Sequence, residues 1–174
     1  LAAQDTAGEF RGQPGRQRLS QPVEFDEEQI APGVADEDDA AIDTHGPVRR
    51  DFDLVVNDRS IATRAESDGA AWFAFDALCE GPRGVADYIE LAKAYHTIFV
   101  SNVPQFTPQT EDAARRFIEF VDEVYDRGVN LVLSAAAPIV DLYDGERLRA
   151  EFGRTESRLI EMQSEDYLAR DHAP

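Results

Sequence analysis

The fold class is decided by residues 97–133, TIFVSNVPQFTPQTEDAARRFIEFVDEVYDRGVNLVL. This segment holds two apolar runs of strand length, TIFV at 97–100 and VNLVL at 129–133, with a helical pattern between them. Both runs are apolar throughout rather than alternating, which is typical of parallel strands in a sheet that helices cover on both faces. The segment therefore predicts a strand–helix–strand unit of an α/β fold with a parallel sheet.

The helices are predicted from their ends and their apolar faces. Thr107 and Pro108 are a good N-cap and first-turn pair for the helix inside this segment, and Gly128 marks its end. A second helix is expected over residues 85–95, and Thr155 is expected to cap a third. The apolar stripe of the helix inside the segment consists of Ala114, Phe117, Ile118, Val121 and Tyr125.

Three strands are predicted before these helices. The runs FDLVV and SIATRA, split by Asn57, Asp58 and Arg59, form a β-hairpin with a tight turn. The run AAWFAF, which comes after Asp68 and Gly69, forms the third strand. Residues 51–174 are therefore expected to form an α/β domain that begins with a hairpin.

The first fifty residues have a different composition. They contain GQPGRQ, the acidic run DEDD at 36–39 and few large apolar residues, which predicts an acidic linker or weakly ordered segment over residues 1–50. The chain also begins with Leu1 rather than with Met. We therefore expect a fragment of a longer protein, with its domain boundary at residue 51.

Composition excludes several classes of function. The formal net charge is −18, from 35 acidic and 17 basic residues, and such a field repels nucleic-acid phosphates. No apolar run approaches the roughly 20 residues that span a bilayer, so no membrane insertion is expected. Cys79 is the only cysteine, and His45, His96 and His172 are far apart in sequence. These features predict a reduced, cytoplasmic protein without a metal site.

A glycine-bearing loop, DALCEGPRGVADY at 76–88, invites comparison with a phosphate-binding loop. A Walker A motif needs a lysine and a hydroxyl directly after its last glycine, but Val85 and Ala86 come after Gly84 here. The only lysine of the chain, Lys93, has no glycine before it. The loop is interpreted as a strand-to-helix turn, with a phosphate-facing role of Arg83 as the alternative.

Polar residues stand directly after both apolar runs of the deciding segment. Ser101 and Asn102 come after TIFV, and Ser134 comes after VNLVL. The carboxyl ends of parallel strands form the edge that faces ligands in open α/β sheets. Asn102 and Ser134 are therefore candidate contacts to a ligand or cofactor, and the alternative is that they end the strands and cap the next segment of each.

Four arginines are candidates for contacting phosphate. Arg154 is expected just before the last helix and Arg158 within its first turn, where both would reach a phosphate across a subunit boundary or bond to nearby carboxylates such as Glu151 and Glu161. Arg115 and Arg116 are adjacent within a helix, so their side chains must point in different directions.

Several blocks of the sequence together resemble one family. They occur in the family's order and spacing, and span residues 51–168. They are FDALCEGPRGVADY (75–88), HTIFVSNVPQFT (96–107), ARRFIEFVDEVYD (114–126), VNLVLSAAAP (129–138) with Leu142-Tyr143, and EFGRTESRLIEMQSEDYL (151–168). In these blocks the chain resembles the carboxy-terminal part of the ZapE family of AFG-like P-loop ATPases.

The resemblance implies an AAA+-related, parallel-sheet core fragment whose intact form uses ATP and Mg²⁺. It also implies a protein partner, either a component of the bacterial division ring or a client protein, and is compatible with an oligomer of the intact protein. The family's Walker A and Walker B motifs lie upstream of the matched region, so this chain alone is expected to be inactive. Candidate catalytic residues are then Arg154, Arg116, Arg158 and Arg115. The alternative is a non-catalytic module that docks a partner through its acidic surface.

Overall fold

The structure, a computed structural model, describes residues 47–173, so the linker predicted for residues 1–50 lies almost wholly outside the described residues. A five-stranded sheet forms its centre, in the order β1-β2-β3-β4-β5. The strands are β1 (Arg49–Val56), β2 (Arg59–Ser67), β3 (Ala70–Ala74), β4 (Thr97–Val103) and β5 (Asn130–Ala135). The helices are α1 (Phe75–Cys79), α2 (Val85–Ala94), α3 (Glu111–Asp126), α4 (Arg149–Glu161) and α5 (Glu165–Leu168).

The sheet is parallel in one half and antiparallel in the other. β3, β4 and β5 run parallel, whereas β1, β2 and β3 pair antiparallel. Asn57 and Asp58, with φ of 48° and 61°, connect β1 to β2. Positive φ at both residues of a two-residue turn matches the right-handed twist of paired strands, and Asn and Asp tolerate that region well. The fold is thus of the mixed α/β class that the sequence predicts.

Helices cover only one face of the parallel strands, so the prediction of a sheet covered on both faces is wrong. α2 joins β3 to β4, α3 joins β4 to β5, and the two helices pack against each other. Phe73, Ile98 and Val100 are buried in the core, whereas Val132 is 41% exposed. Because consecutive right-handed crossovers along one direction of a sheet lie on the same face, the apolar runs of β4 and β5 do not require a second layer of helices.

The predicted starts of two helices are wrong. α3 begins at Glu111 rather than after Thr107, because Thr107 and Thr110 exchange hydrogen bonds in a separate turn (backbone N to Thr110 Oγ1, 2.9 Å). α4 begins at Arg149, six residues before the predicted cap Thr155, which is buried inside the helix. Phe152 is also buried in this extra part of α4, and its packing explains why the helix starts early.

The loop after Cys79 connects two helices, not a strand to a helix as predicted. α1 is a short helix that buries Phe75, Leu78 and Cys79 between β3 and the loop. Arg83 donates from Nε to the carbonyl of Ala77 (3.1 Å) and from Nη2 to that of Ser60. Its guanidinium therefore fastens the loop to the hairpin and does not project from it.

An aromatic cluster joins the helices to the part of the chain just after β4. The ring of Phe106 lies 5.6 Å from Phe75, 5.3 Å from Phe117 and 5.6 Å from Phe152, centroid to centroid. Tyr143 stacks on Phe152 at 5.0 Å. Full burial of such a side chain contributes about 1.5–3 kcal/mol. The cluster therefore fixes α1, α3 and α4 relative to the carboxyl end of the sheet.

The carboxyl-terminal residues fasten back onto the domain. The Tyr167 hydroxyl lies 3.1 Å from the carbonyl oxygen of Val129 and 3.3 Å from that of Val124. His172 Nε2 donates to the carbonyl of Ala92 at 2.6 Å. These contacts join α5 and the tail to the end of α3, the start of β5 and the end of α2.

A buried carboxylate connects the hairpin to α2. Asp87 is 1% exposed and accepts hydrogen bonds from Asn57 Nδ2 (3.1 Å), Arg59 Nη1 (2.9 Å) and the backbone N–H of Gly84 (3.2 Å). The last of these satisfies an amide at the amino end of α2, where a negative charge also favours the helix dipole. One side chain thus holds the turn of the hairpin against the start of the helix.

We expect Asp87→Ala to lower the free energy of unfolding by about 2–4 kcal/mol, because three donors lose a charged acceptor in a buried setting. Urea denaturation measures this change. The matched control is Glu90→Ala on the same helix, which removes an exposed ion pair with Lys93 and should cost less than about 1 kcal/mol. Equal losses for the two variants would contradict the role of Asp87 as a connector.

Burial governs the acid–base behaviour of several phenols and of the thiol. It raises the pKa of Tyr167 and that of Cys79 to about 12. Burial is also the main cause of the raised pKa of Tyr88 and of Tyr95, and the hydrogen bond from Tyr95 to Glu66 adds to the latter. The Cys79 thiol is therefore protonated at neutral pH, consistent with its role as a small buried residue.

These raised pKa values predict that stability falls in alkaline solution. Unfolded tyrosines release their protons near a pKa of about 10, whereas the folded chain retains them to higher pH. For each tyrosine the stabilisation is therefore complete below about pH 10 and is lost above it, by roughly 1.4 kcal/mol per pH unit, whereas the loss from the Cys79 thiol begins near its unfolded pKa of about 9. Urea unfolding between about pH 9 and pH 11 measures the slope. Tyr167→Phe should make it shallower, and a flat profile would contradict the assignment.

Candidate functional site

Asn102 and Ser134 meet at the carboxyl edge of the parallel strands. The backbone N–H of Asn102 donates to Ser134 Oγ at 3.1 Å, across a register shift between Val100 and Val103. Asn102 has a φ of +62°, a left-handed conformation that asparagine tolerates better than most residues. Both side chains are exposed. The structure therefore brings the two residues together, and their role as ligand contacts stays a prediction.

An open depression lies just after β5 on the carboxyl side of the sheet. Its lining includes Gln105, Ala136, Asp141, Asp144 and Arg149. Gln105 Nε2 donates to the Asp141 carbonyl at 2.9 Å, and Arg149 Nη2 donates to the carbonyl of Gly145. Arg149 lies in this lining because α4 begins earlier than the sequence predicts.

Arg154 and Arg158 both bond to α3, not to Glu151 or Glu161 as the sequence suggested. Arg158 pairs with Asp122, and its Nη2 lies 3.5 Å from Asp126 Oδ1. Its guanidinium also lies 4.8 Å from the ring centroid of Tyr125. Arg158 is therefore an anchor between α4 and α3.

Arg154 is held more loosely than Arg158. Its Nη2 is 3.4 Å from Asp122 Oδ2, and the side chain is 59% exposed, against 22% for Arg158. Arg154 lies inside α4 and Arg158 in its last turn, so the predicted positions just before the helix and within its first turn are wrong. Its side chain is exposed because the buried face of α4 is formed by other residues, Phe152, Thr155 and Leu159.

Arg115 and Arg116 point in different directions, as their adjacency predicts. Arg116 Nη1 donates to the carbonyl of Cys79 at 3.1 Å and so contacts the end of α1, whereas Arg115 is exposed. Arg116 and Asp122 are six residues apart on α3, which corresponds to about 9 Å along the helix axis. Arg154 and Arg158 thus meet at Asp122, whereas Arg116 contacts the end of α1, so these three candidate arginines do not converge on one site.

Neither a metal site nor a membrane span is found within residues 47–173. No group of three or more His, Cys, Asp or Glu side chains in this part of the chain is arranged to hold a metal ion. None of its helices combines the length and the apolar character that crossing a bilayer requires.

Comparison with known proteins assigns the class and then the family. The fold defines a mixed α/β domain, and the family profile described as AFG1-like ATPase matches residues 34–171. The chain belongs to the AFG1-like ATPase family. The match begins within the segment that the sequence predicts to be a linker.

Three similar proteins show how much of a relative the chain represents. It is 45% identical to the cell division protein ZapE of Escherichia coli K12 over 119 residues, which cover 68% of this chain and 32% of that protein. It is 37% identical to an uncharacterised protein of Schizosaccharomyces pombe over 101 residues, or 58% of this chain and 22% of that protein.

The third relative is lactation elevated protein 1 homolog B of Danio rerio, which is 31% identical over 146 residues, or 66% of this chain and 29% of that protein. No solved structure shows significant similarity to the chain. The chain thus spans about a third or less of the length of the curated relatives that it matches.

We expect Arg158→Ala to destabilise the 174-residue chain by about 1–3 kcal/mol, because Asp122 would lose its closest partner and Tyr125 the nearer of the two arginines over its ring. Arg115→Ala is the matched control on the surface and should change stability by less than about 0.5 kcal/mol. Urea denaturation of both variants, with Asp122→Ala and the Arg158/Asp122 double variant, measures the coupling between the two residues. Additive losses would contradict a direct ion pair.

Proposed function

We propose that this chain is the carboxy-terminal portion of a longer ATPase, which binds and hydrolyses ATP with Mg²⁺ and acts in the cytoplasm in a process linked to cell division. The proposal is supported by the AFG1-like match over residues 34–171 and by the name of the Escherichia coli relative, a cell division protein. By the same resemblance its protein partner is a division-ring component or a client protein.

The proposal places the Mg-ATP site outside the described residues. Lys93 lies on α2 and pairs with Glu90 at 3.0 Å, and Arg83 is bonded to backbone carbonyls of the domain. The phosphate loop and the magnesium ligands therefore belong, in this proposal, to a part of the intact protein upstream of these residues. This chain contributes an α/β support and a projecting guanidinium.

The observation that carries the proposal for a site residue is the contrast between Arg154 and Arg158. Both arginines share Asp122, but Arg158 is the one that is anchored, so Arg154 is left largely in solvent with a weak partner. A guanidinium in that state is able to leave Asp122 for a phosphate at little cost. We therefore assign the phosphate contact to Arg154 before Arg116, whose side chain is engaged by Cys79.

Two measurements test the proposal at the level of the protein. The full-length sequence should contain G-x-x-G-x-G-K-[ST] and, after it, an apolar strand ending in Asp-Glu, and the full-length protein should hydrolyse ATP. The 174-residue chain alone should bind Mg-ATP no more tightly than about millimolar, or about 4 kcal/mol, in a calorimetric titration. Micromolar binding by this chain would contradict the division of roles, and absence of the motif would favour the acidic binding module.

The arginines are tested in the full-length protein by comparing turnover with melting temperature. Arg154→Ala should lower ATP turnover by roughly 10³-fold or more with little change in ATP affinity or Tm, because a cation on the transferring phosphoryl group acts mainly in the transition state. Arg158→Ala should instead lower Tm and activity together. Arg115→Ala and Arg116→Ala complete the set. If all four lose activity in proportion to stability, the arginines are structural and the assignment is wrong.

A further inference from the structure

One face of the sheet carries an apolar row that helices do not cover. Phe99 of β4 is paired in register with Trp72 of β3 on one side and with Val132 of β5 on the other. Trp72 and Phe99 are partly exposed, and Val132 is more exposed than either. Arg64 lies 5.8 Å from the ring centroid of Trp72, at the β2 end of the row. The Arg64 guanidinium therefore borders the row on the β2 side, and the exposure of the row is greatest at β5.

The two edges of the sheet differ in charge. β1 forms one edge and carries Arg49, Arg50, Asp51 and Asp53 in its eight residues. β5 forms the other edge, and no charged residue occurs between positions 128 and 140. Charged side chains on an edge strand discourage pairing with a further strand, whereas an uncharged apolar edge permits it. Among the described residues, β5 pairs only with β4.

We propose that the free edge of β5, with the Trp72–Phe99–Val132 row beside it, binds an extended, uncharged apolar segment that lies in the remainder of the intact polypeptide. The segment adds a sixth strand next to β5 and its flanking chain covers the row. The inference rests on the proposed function, in that the intact protein is longer than this chain. The relatives leave ample length for such a segment, since about two thirds of Escherichia coli ZapE lies outside the match.

Two physical arguments favour this occupant over a second copy of the chain. Every second residue of β5 directs its backbone N–H and C=O away from β4, and an added strand satisfies these groups by main-chain hydrogen bonds. A second copy would bring together two chains that each carry a net charge of −18, which opposes association. Linkage within one polypeptide avoids that encounter between separate molecules and raises the effective concentration of the segment.

The test compares two valines on opposite edges of the sheet in the full-length protein. Val132→Asp places a carboxylate in the proposed interface, whereas Val55→Asp places it on β1, where Val55 is already 66% exposed. We expect Val132→Asp to lower the Tm by roughly 5 °C or more and Val55→Asp to leave it nearly unchanged. In the 174-residue chain both substitutions should have equally small effects, because the segment is absent. Equal shifts of the two variants in the full-length protein would overturn the inference.

Hydrogen exchange gives a second readout that does not depend on a variant. The outward-facing amides of residues 130–135 should exchange at least about tenfold more slowly in the full-length protein than in the 174-residue chain. Equal exchange rates in the two proteins would overturn the inference. Protection in the 174-residue chain that rises with its concentration would also overturn it, and would show that a second copy of the chain binds this edge. If β5 is protected but the full-length protein lacks ATPase activity, the proposed function fails and the interface stands. If ATP is hydrolysed while β5 stays unprotected, the inference about β5 fails and the proposed function stands.

Discussion

The structure depends on the parallel pairing of β4 with a neighbour on each side. A parallel step needs a crossover, and right-handed crossovers taken in the same direction lie on the same face of the sheet. α2 and α3 are therefore neighbours, and the Tyr88 and Phe120 rings meet between them at 5.5 Å. The same constraint aligns the carboxyl ends of β4 and β5, where Asn102 and Ser134 touch, and leaves the opposite face of the sheet uncovered. The core, the candidate ligand edge and the exposed face of the sheet thus all follow from the parallel pairing of β4.

The parts of the fold that the sequence predicted well are those with a strong local period. TIFV, VNLVL and the apolar stripe of α3 are long enough to identify their elements, and Gly128 ends α3 with a φ of +65°. The errors lie where distant packing outweighs local signals. α4 begins early because Phe152 packs against Phe106 and Tyr143, and no local cap announces that contact. Local propensity is a weak guide wherever tertiary burial of this size competes with it.

Of the candidate site, only the residues placed by the direction of the strands could be predicted from the sequence. Asn102 and Ser134 were found together because strand direction alone places them at one edge. The partners of Arg154 and Arg158 were missed because Asp122 lies more than thirty residues away in sequence, whereas Glu151 and Glu161 are close in sequence but not the arginines' ion-pair partners. Two carboxylates four residues apart on α3, Asp122 and Asp126, formed an acidic stripe that the sequence did display. Only the packing of α4 on α3 shows which cations face it.

The attachment of the tail has a consequence for how the domain is made. The end of α3 and the start of β5 receive the Tyr167 hydroxyl, and α2 receives the ring of His172. During synthesis on the ribosome, the hairpin and the first crossovers emerge well before these residues do. The junction between α3 and β5 therefore lacks its hydrogen bonds to Tyr167 until the tail has left the exit tunnel. For that interval the nascent domain is vulnerable to proteases and to misassembly.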